Sequence, residues 1–343
     1  MPAYNSGPFI REAIDSILGQ TFTDFEFIIV NDGSTDDTDG IIGSYNDERI
    51  RYFKNESNIG NAASRNLGME AAVGKYIAVM DSDDISVTDR LEKQNAYLEK
   101  HPDIGILGGG NVVFDENEWF RKFYPYQPEY IKSFLFFRNP IVQPSVMMRQ
   151  NMISINKLTY NSEFENGEDY DLWYRASMAG IRIGNLNKVL VYHRISDSQL
   201  SDIRNIEPRN RNVQLFFRQK LALLDIKMDD SDFIVLNNFI NGRVIVDKHD
   251  YLMIKNSLQK IEESNIKKGL SESAYFVAVL FFFRLKLIKY YYLEKGKYFS
   301  FIKSGLILIA KTGLVSCWQF WKNEGRYLKM RNYKSQEKTF RIG

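Results

Sequence analysis

Residues 76–84, YIAVMDSDD, pass from apolar to acidic, and three of the last four, Asp81, Asp83 and Asp84, are carboxylates. The apolar part has the length and composition of a buried strand, which would carry the acids at its carboxyl end. Carboxylates this close repel one another, and burying them beside a sheet raises the cost unless a cation is shared between them. Oxygen ligands supplied one or two at a time, with water and substrate phosphate completing the shell, suit Mg2+ or Mn2+ better than a caged Ca2+ or a thiolate-bound Zn2+. The run therefore points to a metal-phosphate site. Capping of the next helix is the alternative, a task Thr88 and Asp89 are also suited to. A second acidic cluster, Glu165, Glu168, Asp169 and Asp171, precedes a helix through Trp173, Tyr174, Ala176 and Met178. Acids at a helix start stabilise its positive end, which accounts for at least two of these four.

The elements that must position these acids follow from periodicity. Phe9, Ile10, Ala13, Ile14, Ile17 and Leu18 recur three and four apart, the stripe of an amphipathic helix. Residues 24–30 read as a strand that ends in the polar run 31–36, where Ser34, Thr35 or Asp36 can start the next helix. A short strand at 51–54, a helix at 62–73 with Arg65 and Asn66 near its start, and the strand ending at Asp81 come next. A helix at 88–100 and a glycine-interrupted strand at 104–114 follow. Strand and helix alternating at intervals of roughly thirty residues are the pattern of a parallel α/β sheet, whose ligands lie beyond the carboxyl ends of the strands. The loops 2–6, 31–36 and 81–84 are therefore expected to meet at a nucleotide-phosphate site.

Beyond Asp115 the alternation stops. Residues 119–138 are aromatic, with Tyr124, Tyr126, Phe134, Phe136 and Phe137, and read as a lid or an acceptor-side structure. Residues 144–149 return to a strand, and 181–195 read as a glycine-broken hairpin leading to a polar loop at 196–202. Past about residue 205 the pattern is helical, with Val213, Phe216, Phe217, Leu221 and Leu224 on one stripe, so the expected division is 1–204 and 205–343. Residues 274–293 are the most apolar, but Arg284, Lys286 and Lys289 interrupt them and the uncharged run is too short to span a bilayer. With 299–321 and a tail of seven basic against two acidic residues at 322–343, they fit a helix pair lying on an anionic membrane face. A helical subdomain packed on itself with a solvated basic tail fits equally well.

Composition narrows the classes. The chain has 343 residues, 44% of them hydrophobic, which is enough for a sizeable core. Its net charge of +2, from 45 basic and 43 acidic residues, gives no electrostatic case for nucleic acid as a partner. Cys317 is the one cysteine, so neither an intrachain disulfide nor a cysteine-based zinc cluster can form, as in a reducing compartment. His101, His193 and His249 are scattered without ligand spacing, and the first residues carry no basic leader. The expected location is the cytoplasm.

Over roughly residues 1–201 the sequence resembles the family-two glycosyltransferases of bacterial surface-polysaccharide synthesis. The marks are Pro2-Ala3-Tyr4-Asn5, the run from Val30 through Asp32 to Asp36, Asn58-Ile59-Gly60 with Arg65-Asn66, Asp81-Ser82-Asp83-Asp84, and Gly167-Glu168-Asp169 before Asp171-Leu172-Trp173. The resemblance implies the A-type glycosyltransferase fold, a Rossmann-like α/β sheet flanked by helices, followed here by an α-helical carboxyl-terminal region. It implies a nucleotide-sugar donor, UDP-linked, bound by Pro2, Ala3, Tyr4, Asp32, Arg65, Asp81 and Ser82. Asp83 would hold Mn2+ or Mg2+ on the diphosphate, and Asp169 would be the general base of an inverting transfer to a glycan or lipid-linked glycan acceptor. The chemistry asks for the same parts: a base on the acceptor side, and positive charge on the departing diphosphate. Glu168 is a weaker candidate for the base. A nucleotide-sugar-binding or scaffolding subunit without turnover is the alternative function. The sequence departs from the family twice. Met1 stands where a buried first strand should finish, so that strand is expected to be missing, and Ser196 holds a place where relatives often carry a histidine. His193 is then expected to be a strand-end residue without a chemical role.

Overall fold

A computed structural model describes residues 1–115, 119–164, 166–195, 206–242, 247–271, 273–293 and 296–312. Glu165, Ser196, the 196–202 loop and the tail from Lys322 lie outside these residues. The chain forms two compact units, one of residues 1–126 and 141–209, the other of 127–140 with the described part of 210–325.

In the first unit the order is β1 (Pro2–Ala3), α1 (Ile10–Leu18), β2 (Phe27–Asn31), α2 (Thr38–Gly43), β3 (Ile50–Lys54), α3 (Asn61–Ala71), β4 (Tyr76–Ala78), β5 (Ile85–Ser86), α4 (Arg90–Lys100), β6 (Ile104–Phe114) and β7 (Trp119–Lys122). Helix α5 (Pro128–Leu135) belongs to the second unit, and the first resumes with β8 (Met147–Arg149), α6 (Gln150–Ile155), α7 (Glu168–Met178) and β9 (Arg182–Arg194). Strands β1, β2 and β3 form a parallel sheet in that order. Where the family pattern made a first strand seem missing, Pro2 and Ala3 pair with Val30 and Asn31, and the Met1 carbonyl accepts from the Val30 amide. Every residue of β2 is buried, and Ile10, Ile14 and Ile17 of α1 close over Phe27 and Ile29 as the three-and-four spacing requires.

The wholly parallel sheet expected from the alternation ends there. A second sheet, ordered β4-β8-β6-β9-β5 with β7 on β6, is antiparallel except for β6 and β9. The expected hairpin at 181–195 is instead one long strand. Gly108, Gly109 and Gly110 of β6 explain this, because a Cβ on Gly109 would lie 2.4 Å from Leu190 Cδ1. Without side chains there, β9 runs past β6 with its register shifted at Gly109–Asn111 rather than folding back.

The second unit is helical: α5, α8 (Ile206–Leu223), α9 (Asp230–Asn241), α10 (Lys248–Lys268), α11 (Ser273–Ile288) and α12 (Tyr298–Thr312). The aromatic stretch expected to be a lid divides. Residues 119–122 form β7, whereas Tyr130, Phe134, Phe136 and Phe137 are buried with Phe217, Phe239, Phe276 and Phe283 in the helical core. This unit therefore includes a segment from inside the expected 1–204 span. Phe276, Val279, Leu280, Phe281 and Phe283 of α11 are buried too, so its apolar character serves that core and α11 does not present the membrane face expected of it. Among the described residues no helix is long and apolar enough to cross a membrane.

Candidate functional site

The polar loops gather around Asp32, which follows β2 and is buried. Its amide donates to the Ala3 carbonyl at 2.8 Å, joining the first two loops. Its carboxylate accepts from Asn55 Nδ2 at 2.8 Å and from the Ile59 and Gly60 amides at 3.0 Å each, which shapes the 55–60 turn ahead of α3. Gly33 sits at φ +70, pressed against this turn, and a Cβ there would lie 2.6 Å from the Ser57 carbonyl carbon. Tyr4 stays half exposed at 48%. Ser6 Oγ meets Ser82 Oγ at 2.7 Å and ties the first loop to the acidic run.

Arg65, on α3, is the charge at the centre. Its Nη2 donates to Asp81 Oδ1 at 2.8 Å, and its Nη1 to Glu168 Oε1, at the start of α7, at 2.5 Å. The guanidinium carbon lies 5.6 Å from the centroid of the buried Tyr160 ring, which stands edge-on to Trp173 of α7. Burial disfavours the charge on Arg65, but Asp81 and Glu168 outweigh it and raise its pKa above an already high value. The start of α7 and the acidic run are thus joined through one buried cation.

Asp84 is fully buried. His193 Nδ1 lies 3.0 Å from its Oδ2, and the Arg194 amide donates to its Oδ1 at 3.0 Å. Burial raises the Asp84 pKa to about 6 against the pull of His193. The imidazole loses charge stability by its own burial, yet Asp84, then Asp83 and Asp81, lift it to about 9. Arg194 also donates through Nε to the Asp83 carbonyl at 3.2 Å and pairs with Glu12 at 2.5 Å, its guanidinium between Phe9 and Phe114. Below the run, the buried Arg90 donates to the Val79 and Val146 carbonyls and to Gln94. Burial lowers its pKa to about 9 in spite of Asp81 and Asp84.

Protein cations stand beside two acids of the run. Arg65 takes Asp81, and His193 takes Asp84. Among the described residues no three His, Cys, Asp or Glu side chains are grouped to hold a metal ion. Such a donor set does not suit an all-protein cage, and a hard cation at the run would take phosphate and water for most of its ligands. In the second cluster Asp171 pairs with Arg175 at 2.6 Å and Glu168 with Arg65, while the Tyr170 amide donates to Asp169 Oδ1 at 2.7 Å. His193, expected at a strand end without a chemical role, lies near the end of β9 and braces Asp84. Sequence reasoning missed Arg90, whose spacing with Leu91, Gln94 and Leu98 on the buried face of α4 was its one signal.

The profile described as "Glycosyl transferase family 2" matches residues 1–160. An uncharacterized glycosyltransferase of Methanocaldococcus jannaschii is 37% identical over 213 residues, which cover 60% of this chain and 73% of that protein. The chain belongs to glycosyl transferase family 2. Another similar protein of this family's activity is the Escherichia coli UDP-Glc:alpha-D-GlcNAc-diphosphoundecaprenol beta-1,3-glucosyltransferase WfaP, 29% identical over 58% of this chain and 77% of that one. Among solved structures, S. aureus TarS 1–349 in complex with UDP-GlcNAc aligns with a TM-score of 0.54 at 18% identity, covering 90% of this chain and 88% of that one. At that identity the likeness shows the fold, the A-type glycosyltransferase fold. The enzyme is thus a glycosyltransferase, and the loops around Asp32, Arg65 and Asp81 occupy the carboxyl ends of its strands, where this sheet type takes ligands.

Proposed function

We propose that this family 2 enzyme moves a hexose or N-acetylhexosamine from a UDP-sugar to a glycan or lipid-linked glycan acceptor, with inversion, in the cytoplasmic steps of cell-surface polysaccharide synthesis. The observation that carries the reading is the Arg65 bridge, which joins Asp81 on the donor side to Glu168, next to Asp169. WfaP, by its name a UDP-glucose-dependent enzyme acting on a diphosphoundecaprenol-linked sugar, supports the donor and acceptor class. So does the UDP-GlcNAc in the TarS complex.

In this mechanism Pro2, Ala3, Tyr4, Asp32 and Ser82 receive the nucleoside, and Asp81 is held toward it by Arg65. Asp169 takes the proton of the acceptor hydroxyl as that oxygen bonds to the anomeric carbon. The bond from the anomeric carbon to the diphosphate oxygen breaks on the opposite face, and UDP leaves with the electron pair. No enzyme nucleophile takes part. A divalent cation, Mn2+ or Mg2+, on Asp83 would supply positive charge to the departing diphosphate. Glu168 is committed to Arg65, which makes it a positioning residue for the start of α7.

Release of UDP with Mn2+ across a panel of UDP-sugars and acceptors tests this reading. Asp169→Asn is expected to slow turnover about 10²–10⁴-fold, the usual contribution of a general base, with nucleotide binding kept. Turnover at the unsubstituted rate would remove Asp169 as the base. Binding of UDP-sugars without turnover under any acceptor condition would make the chain a nucleotide-sugar-binding subunit.

A further inference from the structure

Between α6 and α7 the chain runs through residues 158–161, which belong to no helix or strand. Backbone there must find hydrogen-bond partners outside any regular ladder. Tyr160 finds both in one side chain: its amide donates to Asn66 Oδ1 and its carbonyl accepts from Asn66 Nδ2, each at 2.8 Å. Asn66 follows Arg65 directly on α3. A carboxamide suits this place because it offers one acceptor and one donor side by side, whereas an aspartate would set an acceptor against the carbonyl. Toward α7, Arg175 donates through Nη2 to the Thr159 carbonyl at 2.6 Å and through Nε to Asp171 at 2.7 Å. Consecutive residues, Thr159 and Tyr160, are thus tied to α7 and to α3.

The Tyr160 side chain touches the same two helices. Its buried ring has the Arg65 guanidinium carbon 5.6 Å from its centroid, a distance at which the aromatic face favours a cation. The ring also stands edge-on to the buried Trp173 of α7, with centroids 6.4 Å apart. Its hydroxyl accepts from Gln143 Nε2 at 2.7 Å, so the ring cannot swing away from Arg65 without breaking that bond. Arg65 must reach Asp81 and Glu168 at once, and a shift of α3 against α7 would cost it one of them. We infer that Asn66 and Tyr160 are positioning residues, which space α3 from α7, hold the Arg65 fork between its two carboxylates and so place Asp169 for the acceptor proton. The inference rests on Asp169 as the base proposed above.

UDP release and UDP binding by the full chain, measured together, test this. Asn66→Ala removes both backbone bonds and Tyr160→Leu removes the ring. Each should lower kcat, counted per UDP-binding molecule, about tenfold or more, the scale of a small misplacement of reacting groups, while the Kd for UDP shifts less than about threefold. Tyr160→Phe keeps the backbone pair and the ring beside Arg65, and should recover most of the rate lost in Tyr160→Leu. In an Asp169→Asn background the same substitutions should cost less than about threefold more, because groups that act as one unit do not add. Full rate in Asn66→Ala, or a loss that multiplies in full with that of Asp169→Asn, overturns the inference, and Asn66→Ala decides if Tyr160→Leu does not fold. Asp169→Asn at the unsubstituted rate would instead remove the base on which the inference rests. A slow Asp169→Asn beside a full-rate Asn66→Ala would remove the inference alone.

Discussion

Arg65 is buried to 6% side-chain exposure and shared by two carboxylates, so replacing it leaves both without their cation. Arg65→Met is expected to destabilise the first unit by about 3–5 kcal/mol, the range for breaking a buried ion pair from one side, as read by urea unfolding. Arg65→Lys keeps one charge but lacks the planar fork that reaches Asp81 and Glu168 together, so kcat should fall while the protein stays folded. His193 carries a pH prediction. Its folded pKa, about 9, lies above the ordinary value of 6.5, so the stability it adds is complete below pH 6.5 and lost as pH rises through 9. Thermal melting across that window should slope downward in the native chain and flatten in His193→Gln. Asp83 is tested by metal. EDTA should stop UDP release and Mn2+ or Mg2+ restore it, and Asp83→Ala should raise the metal concentration for half-maximal rate about tenfold or more.

Elements meet at the site because single backbone positions allow it. Gly33 places its residue type where a left-handed φ and the Ser57 backbone both exclude a side chain. Gly33→Ala should cost at least about 1–2 kcal/mol and raise the KM for the donor, since the residue follows Asp32 directly. The helices of the second unit start on ordinary caps: Asp229 and Asp247 accept from the amides of Asp232 and Asp250 at 2.8 Å. Asp229→Ala and Asp247→Ala should each lower stability by about 1 kcal/mol without touching turnover. The α7 start shows why acids at a helix terminus read ambiguously. Asp171 pairs within the helix, Glu168 reaches a residue 103 positions away, and nothing local in the sequence separates the two.

At the scale of the whole molecule, the chain leaves the first unit at 127 and returns by 141, lending α5 to the helical core. Tyr130, Phe134, Phe136 and Phe137 are buried among side chains that come from α8 to α11. A fragment of 205–343 lacks those four aromatic groups, and each large core deletion typically costs about 3–5 kcal/mol. Expressed alone it should bind a hydrophobic dye and unfold without a sharp transition, whereas the full chain should unfold cooperatively. A fragment that melts as sharply as the full chain would mean that α5 is dispensable to this core.

What the sequence alone determined lies in short-range pattern. The three-and-four stripe of α1, the apolar run of β2 and the polar runs at strand ends predicted an α/β sheet with its polar loops meeting at one edge, because period and turn chemistry are local properties of a chain, whereas the A-type fold came from the family resemblance. Only tertiary structure decided which charge neutralises which. Arg65 with Glu168 and Asp84 with His193 are pairs more than a hundred residues apart, and an acidic run looks the same in sequence whether metal, arginine or histidine relieves it. The same holds for β9 and α5. A glycine-rich neighbour turned an apparent hairpin into one strand, and an aromatic stretch found its partners in another unit, since burial is a property of what lies opposite and not of the segment itself.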